Sequence, residues 1–226
     1  MAAKKLKRQS EQFYSSPEPK RKKIDQEADR CATAFYSQPC ESLAKALLGC
    51  TLVRETSPTL RLTATIVETE AYLGGEDKAA HSYNGKRTPR NEAMYMDPGT
   101  CYVYSVYGTH SCVNVSSLGE GAAVLIRALE PVTGVENMYT RRKSAKKDKD
   151  LCNGPAKLCQ ALDIDKTLNK VDLTSCACLW VEPRSHDLAD DDIVCTGRVG
   201  VNYAGTEWSN KHLRFYVKGN RCVSRL

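Results

Sequence analysis

The chain has 226 residues and a formal net charge of +6 at pH 7, and 41% of its residues are hydrophobic. These values favour one folded domain with a sizeable core. They argue against a membrane partner, because no apolar run approaches the roughly 20 residues that a spanning helix needs. The first 30 residues hold nine Lys/Arg and five Asp/Glu, so the rest is nearly neutral and its global charge does not indicate nucleic acid.

Residues 1–30 are predicted to form a disordered basic tail, because they are highly charged and poor in apolar residues. Basic clusters at residues 4–8 and 20–23 lie about a dozen residues apart, as in a bipartite nuclear-import signal, so we predict action in the nucleus. The alternative is a generic basic tail that adds non-specific affinity for DNA. The polar N-terminus predicts no signal peptide. We therefore expect the 11 scattered cysteines to be reduced thiols, mostly in the core, with no metal or cofactor.

Residues 31–226 are predicted to form one mixed, mainly antiparallel α+β domain. Apolar spacing and helix-boundary residues predict helices at residues 39–48, 135–142 and 154–162. Thr88-Pro89 predicts the start of another helix, with Thr as its cap and Pro at its first position. Strands are predicted at residues 50–54, 60–72, 122–129, 178–182, 193–201 and 213–217, and a hairpin at residues 100–116.

The predicted hairpin carries a set of tyrosines. Tyr102 and Tyr104 alternate on one face of a strand, and Tyr102 is interpreted as a core residue. Tyr107 breaks this alternation and precedes Gly108, the predicted turn, so its ring is expected at an exposed tip. An exposed ring of this size usually marks a binding surface. Asn114, on the return strand, is expected to face either solvent or a pocket.

Two carboxylates, Glu68 and Glu70, fall on one face of the strand predicted at residues 60–72. Ile66 turns this face inward, so at least one carboxylate is expected to be partly buried and to need a partner or a task. Arg127 interrupts an apolar strand and is the predicted partner. The alternative is a structural ion pair with one glutamate, and periodicity does not show which glutamate is catalytic. A hairpin-tip ring, stacking aromatic groups and an acid/base group together suggest an enzyme that pulls a base out of duplex DNA.

A basic run begins near the end of the helix predicted at residues 135–142 and continues beyond it. Residues 139–149 hold six basic groups and one acidic group. Such a run anchors phosphates by releasing counterions, so we predict DNA contacts for Arg141, Arg142 and Lys143. The alternative is a solvated flexible loop. His81 has no second histidine at a metal-binding spacing, so no metal site is predicted there, and an isolated histidine is more often packed or solvated.

Eight short motifs resemble those of one enzyme family and occur in the same order over nearly all of residues 31–226. They are 67–74 (VETEAYLG), 79–82 (AAHS), 88–91 (TPRN), 102–108 (YVYxxYG), 114–117 (NVSS), 125–131 (LIRALEP), 154–162 (GPxKLxQAL) and 198–201 (RVGV). On these motifs the chain resembles the alkyladenine (3-methyladenine) DNA glycosylase family. The resemblance implies a single α+β (mixed α/β) domain around a curved antiparallel β-sheet, with a protruding β-hairpin and surrounding helices.

The resemblance also implies a monofunctional DNA glycosylase for base excision repair, acting on purines of the 3-methyladenine, 7-methylguanine, hypoxanthine and ethenoadenine types in duplex DNA. In that family Glu70 corresponds to the general base that activates water, and Arg127 to the residue that helps hold the carboxylate and the water. Tyr72, His81 and Tyr104 correspond to a cage around the flipped base, with a hydrogen bond from the His81 main chain. No cofactor and no Schiff-base lysine are implied, and a monomer is expected.

The resemblance implies further that Tyr107 fills the gap left in the duplex and that Asn114 excludes guanine by crowding its amino group. Thr109 and His110 stand where better-known members carry bulkier residues, so packing in the minor groove is expected to differ. Two other function classes remain: a damaged-DNA binding protein without turnover, and a fold relative acting on RNA or a folate-type substrate. The likeness of residues 224–226 to a peroxisomal address is interpreted as chance.

Overall fold

The computed structural model describes residues 30–106 and 108–226. The predicted import signal lies outside the described residues. The strands within those ranges are β1 (Thr51–Ser57), β2 (Leu60–Tyr72), β3 (Cys101–Val106), β4 (His110–Ser116), β5 (Ala123–Thr133), β6 (Leu179–Glu182), β7 (Ile193–Thr196) and β8 (Arg214–Val217). They form one antiparallel sheet in the order β3-β4-β5-β2-β1-β6, which β8 joins by pairing with both β2 and β7.

Short helices surround this sheet: α1 (Thr33–Tyr36), α2 (Cys40–Ala46), α3 (Val135–Arg141), α4 (Pro155–Leu162) and α5 (Thr206–Ser209). The predicted fold class, an α+β domain around a curved antiparallel sheet, is therefore confirmed. The helices predicted at residues 39–48, 135–142 and 154–162 correspond to α2, α3 and α4. Pro155 opens α4, where its fixed backbone angle and missing N–H suit a first helical position. In the described part of the chain, no helix has the length and hydropathy needed to cross a membrane.

Strand β2 is the centre of the sheet, and its pairing explains why polar side chains on it are buried. One edge of β2 pairs with β5 along most of its length. The other edge is shared, since β1 pairs with its first half and β8 pairs with residues 68–70. The register with β5 shifts on both sides of Glu68, as in a β-bulge. Glu68, Thr69 and Glu70 are consequently all inaccessible to solvent.

The hairpin of β3 and β4 sends alternate side chains to two different surroundings. Val103 and Val113 pack into the main core, which also contains Leu158 and Cys159 of α4. Tyr102 lies in a separate cluster with Ala93, Met94 and Ala123, on the other face. Helix α4 and the predicted base-binding residues of the hairpin are therefore on opposite sides of this part of the sheet.

Two predictions about secondary structure are wrong. No helix starts at Thr88-Pro89; a single 3-10 turn begins at Glu92 instead. The side chain of Asn91 accepts hydrogen bonds from the Thr88 N–H and hydroxyl at 2.7 and 2.9 Å, so it closes a local turn that competes with the helix. The strand predicted at residues 193–201 ends at Thr196, since the residues after it leave the sheet and approach β2. All eleven cysteines are free thiols and eight are buried, as predicted.

Candidate active site

A small cavity of about 50 Å³, with room for a few water molecules, lies on the face of the sheet away from α4. Its lining residues are Tyr72, Ala79, His81, Met94, Tyr102, Tyr104, Asn114, Ala123 and Tyr203. The four residues predicted to bind a base are thus brought together from β2, the loop after it, β3 and β4. A wall made mainly of aromatic and small apolar side chains suits a flat ligand.

Three rings form one continuous side of the cavity. The His81 and Tyr104 ring centroids are 4.7 Å apart in an edge-to-face arrangement, and the Tyr102 and Tyr104 centroids are 5.3 Å apart. The hydroxyl of Tyr102 lies 2.9 Å from Nδ1 of His81. The sequence predicts only a core position for Tyr102. It is indeed buried, but its hydroxyl also fixes the imidazole ring at the cavity.

The environment of His81 favours a neutral ring. Burial lowers the pKa of His81, and the positive charges of Arg90 and Lys86 lower it further. The imidazole is therefore uncharged at pH 7, so that one of its nitrogens can accept a hydrogen bond and the other can donate one. A neutral ring stacks on a cationic base without the repulsion that an imidazolium would add.

Asn114 faces the cavity, which decides between the two environments left open by the sequence. It lies opposite Tyr102 in the β3–β4 ladder and is 4% exposed. Its Nδ2 donates to the Tyr102 carbonyl at 3.0 Å. This hydrogen bond fixes the orientation of the amide group within the wall of the cavity.

Glu70 lies behind the cavity wall and is joined by a hydrogen bond to Tyr72, which lines the cavity. Its Oε2 accepts from the Tyr72 hydroxyl at 2.9 Å, its Oε1 accepts from the Val199 N–H at 2.7 Å, and Arg127 Nη1 lies 3.3 Å from Oε2. Burial raises the pKa of the Glu70 carboxyl above its ordinary value, although Arg127 and the two hydrogen bonds favour the charged form. A buried carboxylate with a raised pKa beside a cavity has the properties of a general base.

Glu68 has a different environment, which separates the roles of the two glutamates. Its Oε1 accepts from Arg127 Nε at 3.1 Å, Arg214 Nη1 at 2.7 Å and the Ser224 hydroxyl at 3.0 Å. Its Oε2 accepts from the Ser224 N–H at 2.6 Å. Both oxygens of this carboxylate accept hydrogen bonds from arginine or serine, so we interpret Glu68 as a structural residue. Arg127 bridges both glutamates, which combines the two alternatives that the sequence left open.

A second buried ion pair supports Tyr72 from behind. Arg198 donates to Asp77 with two nitrogens, at 2.5 and 2.9 Å, and both side chains are inaccessible to solvent. The Arg198 guanidinium carbon also lies 4.7 Å from the centroid of the Tyr72 ring. Because Val199 follows Arg198, the same segment places the N–H that binds Glu70. The RVGV motif contains both residues, but the sequence indicated no role for them.

The predicted DNA-binding residues fall in two places. Thr109 and His110 are exposed at the hairpin beside the cavity-lining strands, and Tyr107 lies outside the described residues. Arg142 donates to the carbonyls of residues 150 and 151 and to Gln160, and Arg141 pairs with Asp163 at 3.6 Å. Lys143 is exposed next to them. These three lie at the end of α3, which packs on α4, so the structure does not bring them to the cavity.

The sequence predicts no role for two further residues, of which one lines the cavity and the other lies over a ring that lines it. Tyr203 is 72% exposed, lines the cavity, and donates its hydroxyl to the Ala79 carbonyl at 3.1 Å. The Arg90 guanidinium carbon lies 5.3 Å from the Tyr104 ring centroid. Arg90 belongs to the TPRN motif and Tyr203 follows the RVGV motif by two positions. Their positions in or near these motifs are the only signal that the sequence gives for them.

Comparison with known proteins agrees with this geometry. The family model described as methylpurine-DNA glycosylase (MPG) matches residues 34–221. The DNA-3-methyladenine glycosylase of Homo sapiens is 48% identical over 86% of this chain and 68% of its own length. That of Mus musculus is 46% identical over 94% of this chain and 64% of its own length. The probable DNA-3-methyladenine glycosylase of Encephalitozoon cuniculi is 50% identical over 82% of this chain and 88% of its own.

The fold and the site therefore define a DNA glycosylase. The chain belongs to the methylpurine-DNA glycosylase family, which confirms the resemblance predicted from the eight motifs. It spans only about two thirds of the length of the human and mouse relatives.

Proposed function

We propose that the chain is a monofunctional DNA glycosylase that flips damaged purines out of duplex DNA and removes them by hydrolysis, as a first step of base excision repair. The names of the relatives support 3-methyladenine as a substrate. The chemistry of the cavity extends this proposal to 7-methylguanine, hypoxanthine and ethenoadenine. The observation that carries it is the buried Glu70, held by Arg127 and Val199 directly behind an aromatic cavity.

The proposed reaction is a substitution at the sugar carbon C1′. A water oxygen bonds to C1′, the C1′–N bond breaks, and its electron pair leaves with the base. Glu70 takes a proton from the water and stabilises the positive charge that develops on the sugar. Arg127 keeps Glu70 ionised, which a base must be before it accepts a proton. Alkylation at N3 or N7 makes the leaving base cationic, so it departs as a neutral molecule.

Recognition of the flipped base is proposed to depend on stacking. Tyr72, Tyr104 and the neutral ring of His81 supply the aromatic surfaces. Stacking of this kind contributes about 1–3 kcal/mol per base. Stacking tolerates differently shaped lesions because each has a π-face. Asn114 is proposed to reject guanine by crowding its exocyclic amino group, and its bond to the Tyr102 carbonyl supports a fixed orientation.

The DNA interface is proposed to centre on the hairpin. Tyr107 fills the gap in the duplex from the minor groove, and Thr109 and His110 contact the neighbouring nucleotides. Arg141, Arg142 and Lys143 are proposed to bind phosphates away from the lesion. Lys143 is exposed, which supports phosphate binding by this residue. The support for Arg142 is weaker, because its guanidinium already forms hydrogen bonds within the protein. We further propose that the protein is a monomer and that it acts in the nucleus, the latter because residues 1–30 contain the two basic clusters.

The test uses duplex oligonucleotides that each carry one lesion from the proposed set, with an undamaged duplex as the control. We expect free base to appear while the strand stays intact until it is treated with alkali. Strand cleavage before alkali treatment would contradict a monofunctional mechanism. Binding of every lesion without release of any base in a single turnover would instead favour a damage-binding protein.

A further inference from the structure

The segment at residues 222–225 packs against the buried end of the catalytic pair rather than lying apart from it. Cys222 and Val223 form a small apolar cluster with Val67 and Ala128, which are the chain neighbours of Glu68 on β2 and of Arg127 on β5. The Arg225 carbonyl accepts a hydrogen bond from Arg214 at 2.9 Å. Apolar contacts and a main-chain hydrogen bond therefore hold Ser224 in place from both sides.

Ser224 makes three contacts with the groups that surround Glu70. Its N–H is bonded to Glu68 Oε2, its hydroxyl is bonded to Glu68 Oε1, and Arg127 Nη2 lies 3.4 Å from the same hydroxyl. Arg127 thus has three nitrogens with three different partners, since Nε reaches Glu68 and Nη1 reaches Glu70. Three anchors on a planar guanidinium prevent it from rotating about any one of them.

We propose that Ser224 is a positioning residue that fixes Arg127, directly and through Glu68, in the orientation in which one of its nitrogens reaches Glu70. Without the Ser224 hydroxyl, Nη2 loses its partner and Glu68 loses one of its donors. The guanidinium then turns toward Glu68, which already holds its Nε at the shorter distance. The consequence for catalysis rests on the proposed role of Glu70 as general base.

The expected consequence is a change in how Glu70 titrates. Arg127 is the strongest influence that opposes the effect of burial on the pKa of Glu70, so a longer Arg127–Glu70 distance raises this pKa further. The ionised fraction at a given pH then falls. Glu68 loses the Ser224 hydroxyl in such a variant but keeps Arg127, Arg214 and the Ser224 N–H. The other titratable and charged groups near Glu70 do not contact the Ser224 hydroxyl: Tyr72, Cys112, Arg198, Tyr203 and Arg214.

The test compares the wild-type chain with Ser224→Ala, Ser224→Thr and the control Ser37→Ala. Threonine keeps the hydroxyl, and Ser37 is an exposed serine whose hydroxyl donates to its own helix at the Thr33 carbonyl. Two readouts are recorded for each protein: the carbon NMR titration of the Glu70 carboxyl, and the pH dependence of single-turnover excision on a hypoxanthine duplex. The NMR readout does not depend on activity, so it tests Ser224 even where the proposed function fails.

We expect Ser224→Ala to raise the Glu70 titration midpoint and to move the acid limb of the rate profile upward by about 0.5–1 pH unit, so excision at a pH on the acid limb, below the midpoint, falls roughly three- to tenfold. Excision at pH 8.5 changes less, and Ser224→Thr restores both readouts. The proposal is overturned if Ser224→Ala titrates like the wild type and Ser37→Ala, or if threonine does not restore the midpoint. No excision by the wild type, with a shifted midpoint in Ser224→Ala, contradicts the function but not the positioning role.

Discussion

The Tyr72 hydroxyl donates a hydrogen bond to Glu70 across 2.9 Å, so one ring that lines the cavity is joined directly to the carboxylate behind it. The Arg198 guanidinium lies over the same ring, 4.7 Å from its centroid. Tyr72 therefore contributes a surface for stacking and a hydrogen bond that favours the ionised form of Glu70. These two contributions are separable by removing the hydroxyl alone.

Tyr72→Phe is expected to keep lesion binding within about twofold of wild type while it changes the pH dependence of excision. Loss of the hydrogen bond removes one influence that lowers the pKa of Glu70, so the acid limb of the rate profile moves to higher pH. Tyr139→Phe is the matched control. Tyr139 lies on α3, and its hydroxyl also donates to a carboxylate, that of Asp148, at 2.8 Å. An unchanged acid limb in Tyr72→Phe contradicts the prediction.

Glu68→Gln and Glu70→Gln are expected to change stability in opposite directions, although they lie two residues apart on one strand. Glu68→Gln breaks a buried pairing with two arginines and lowers the free energy of unfolding by about 3–5 kcal/mol. The pKa of Glu70 is higher in the folded chain than in the unfolded one, so ionising it costs stability as pH rises. Glu70→Gln is therefore expected to raise the melting temperature at pH 8, with a gain that shrinks toward pH 5.

Urea denaturation of both variants at pH 5 and pH 8 tests this pair. Equal losses of stability for the two variants at pH 8 would show that Glu70, like Glu68, is mainly structural. The sequence could not have separated these roles, since both side chains fall on one strand face. Their difference comes from Arg214 and Ser224, which lie 146 and 156 residues after Glu68 in the chain.

Asp77→Asn is expected to lower the free energy of unfolding by about 3–5 kcal/mol, because it leaves the buried charge of Arg198 without its partner. Excision is expected to fall as well, since Arg198 supports the Tyr72 ring and precedes the N–H that binds Glu70. Glu207→Gln is the control: it breaks an exposed pair with Lys211 at 4.0 Å and is expected to cost less than about 1 kcal/mol. Equal melting temperatures for the two variants would contradict the structural role of the Asp77 pair.

Tyr203→Ala is expected to weaken binding of a lesion duplex about tenfold at fixed salt, because it removes an exposed ring at the cavity. Tyr203→Phe keeps the ring and loses only the bond to the Ala79 carbonyl, so we expect it to stay within about threefold. Tyr139→Ala removes a ring from α3, far from the cavity, and controls for the loss of a tyrosine. An affinity for Tyr203→Ala that equals this control contradicts a contact between Tyr203 and the nucleotide.

Local signals explain what the sequence predicted well. The long strand β2, the hairpin and the helix opened by Pro155 each follow from periodicity or from a residue with a restricted backbone. The helix predicted at Thr88-Pro89 failed because the Asn91 side chain accepts from the Thr88 N–H and donates to the His81 and Lys86 carbonyls, which holds this segment in a loop. The Asp77–Arg198 pair and Tyr203 were missed because their roles depend on contacts across more than 100 residues of chain. Such contacts leave no periodic pattern.

The most direct measurement of the central claim follows flipping and hydrolysis separately on a duplex with one ethenoadenine. Fluorescence of the ethenoadenine reports its removal from the base stack, and chromatography reports free base under single-turnover conditions. Glu70→Gln is predicted to produce the wild-type fluorescence change while it releases no base in the time in which the wild type reacts to completion. Release of base by Glu70→Gln at the wild-type rate would contradict the assignment of Glu70 as the group that activates water.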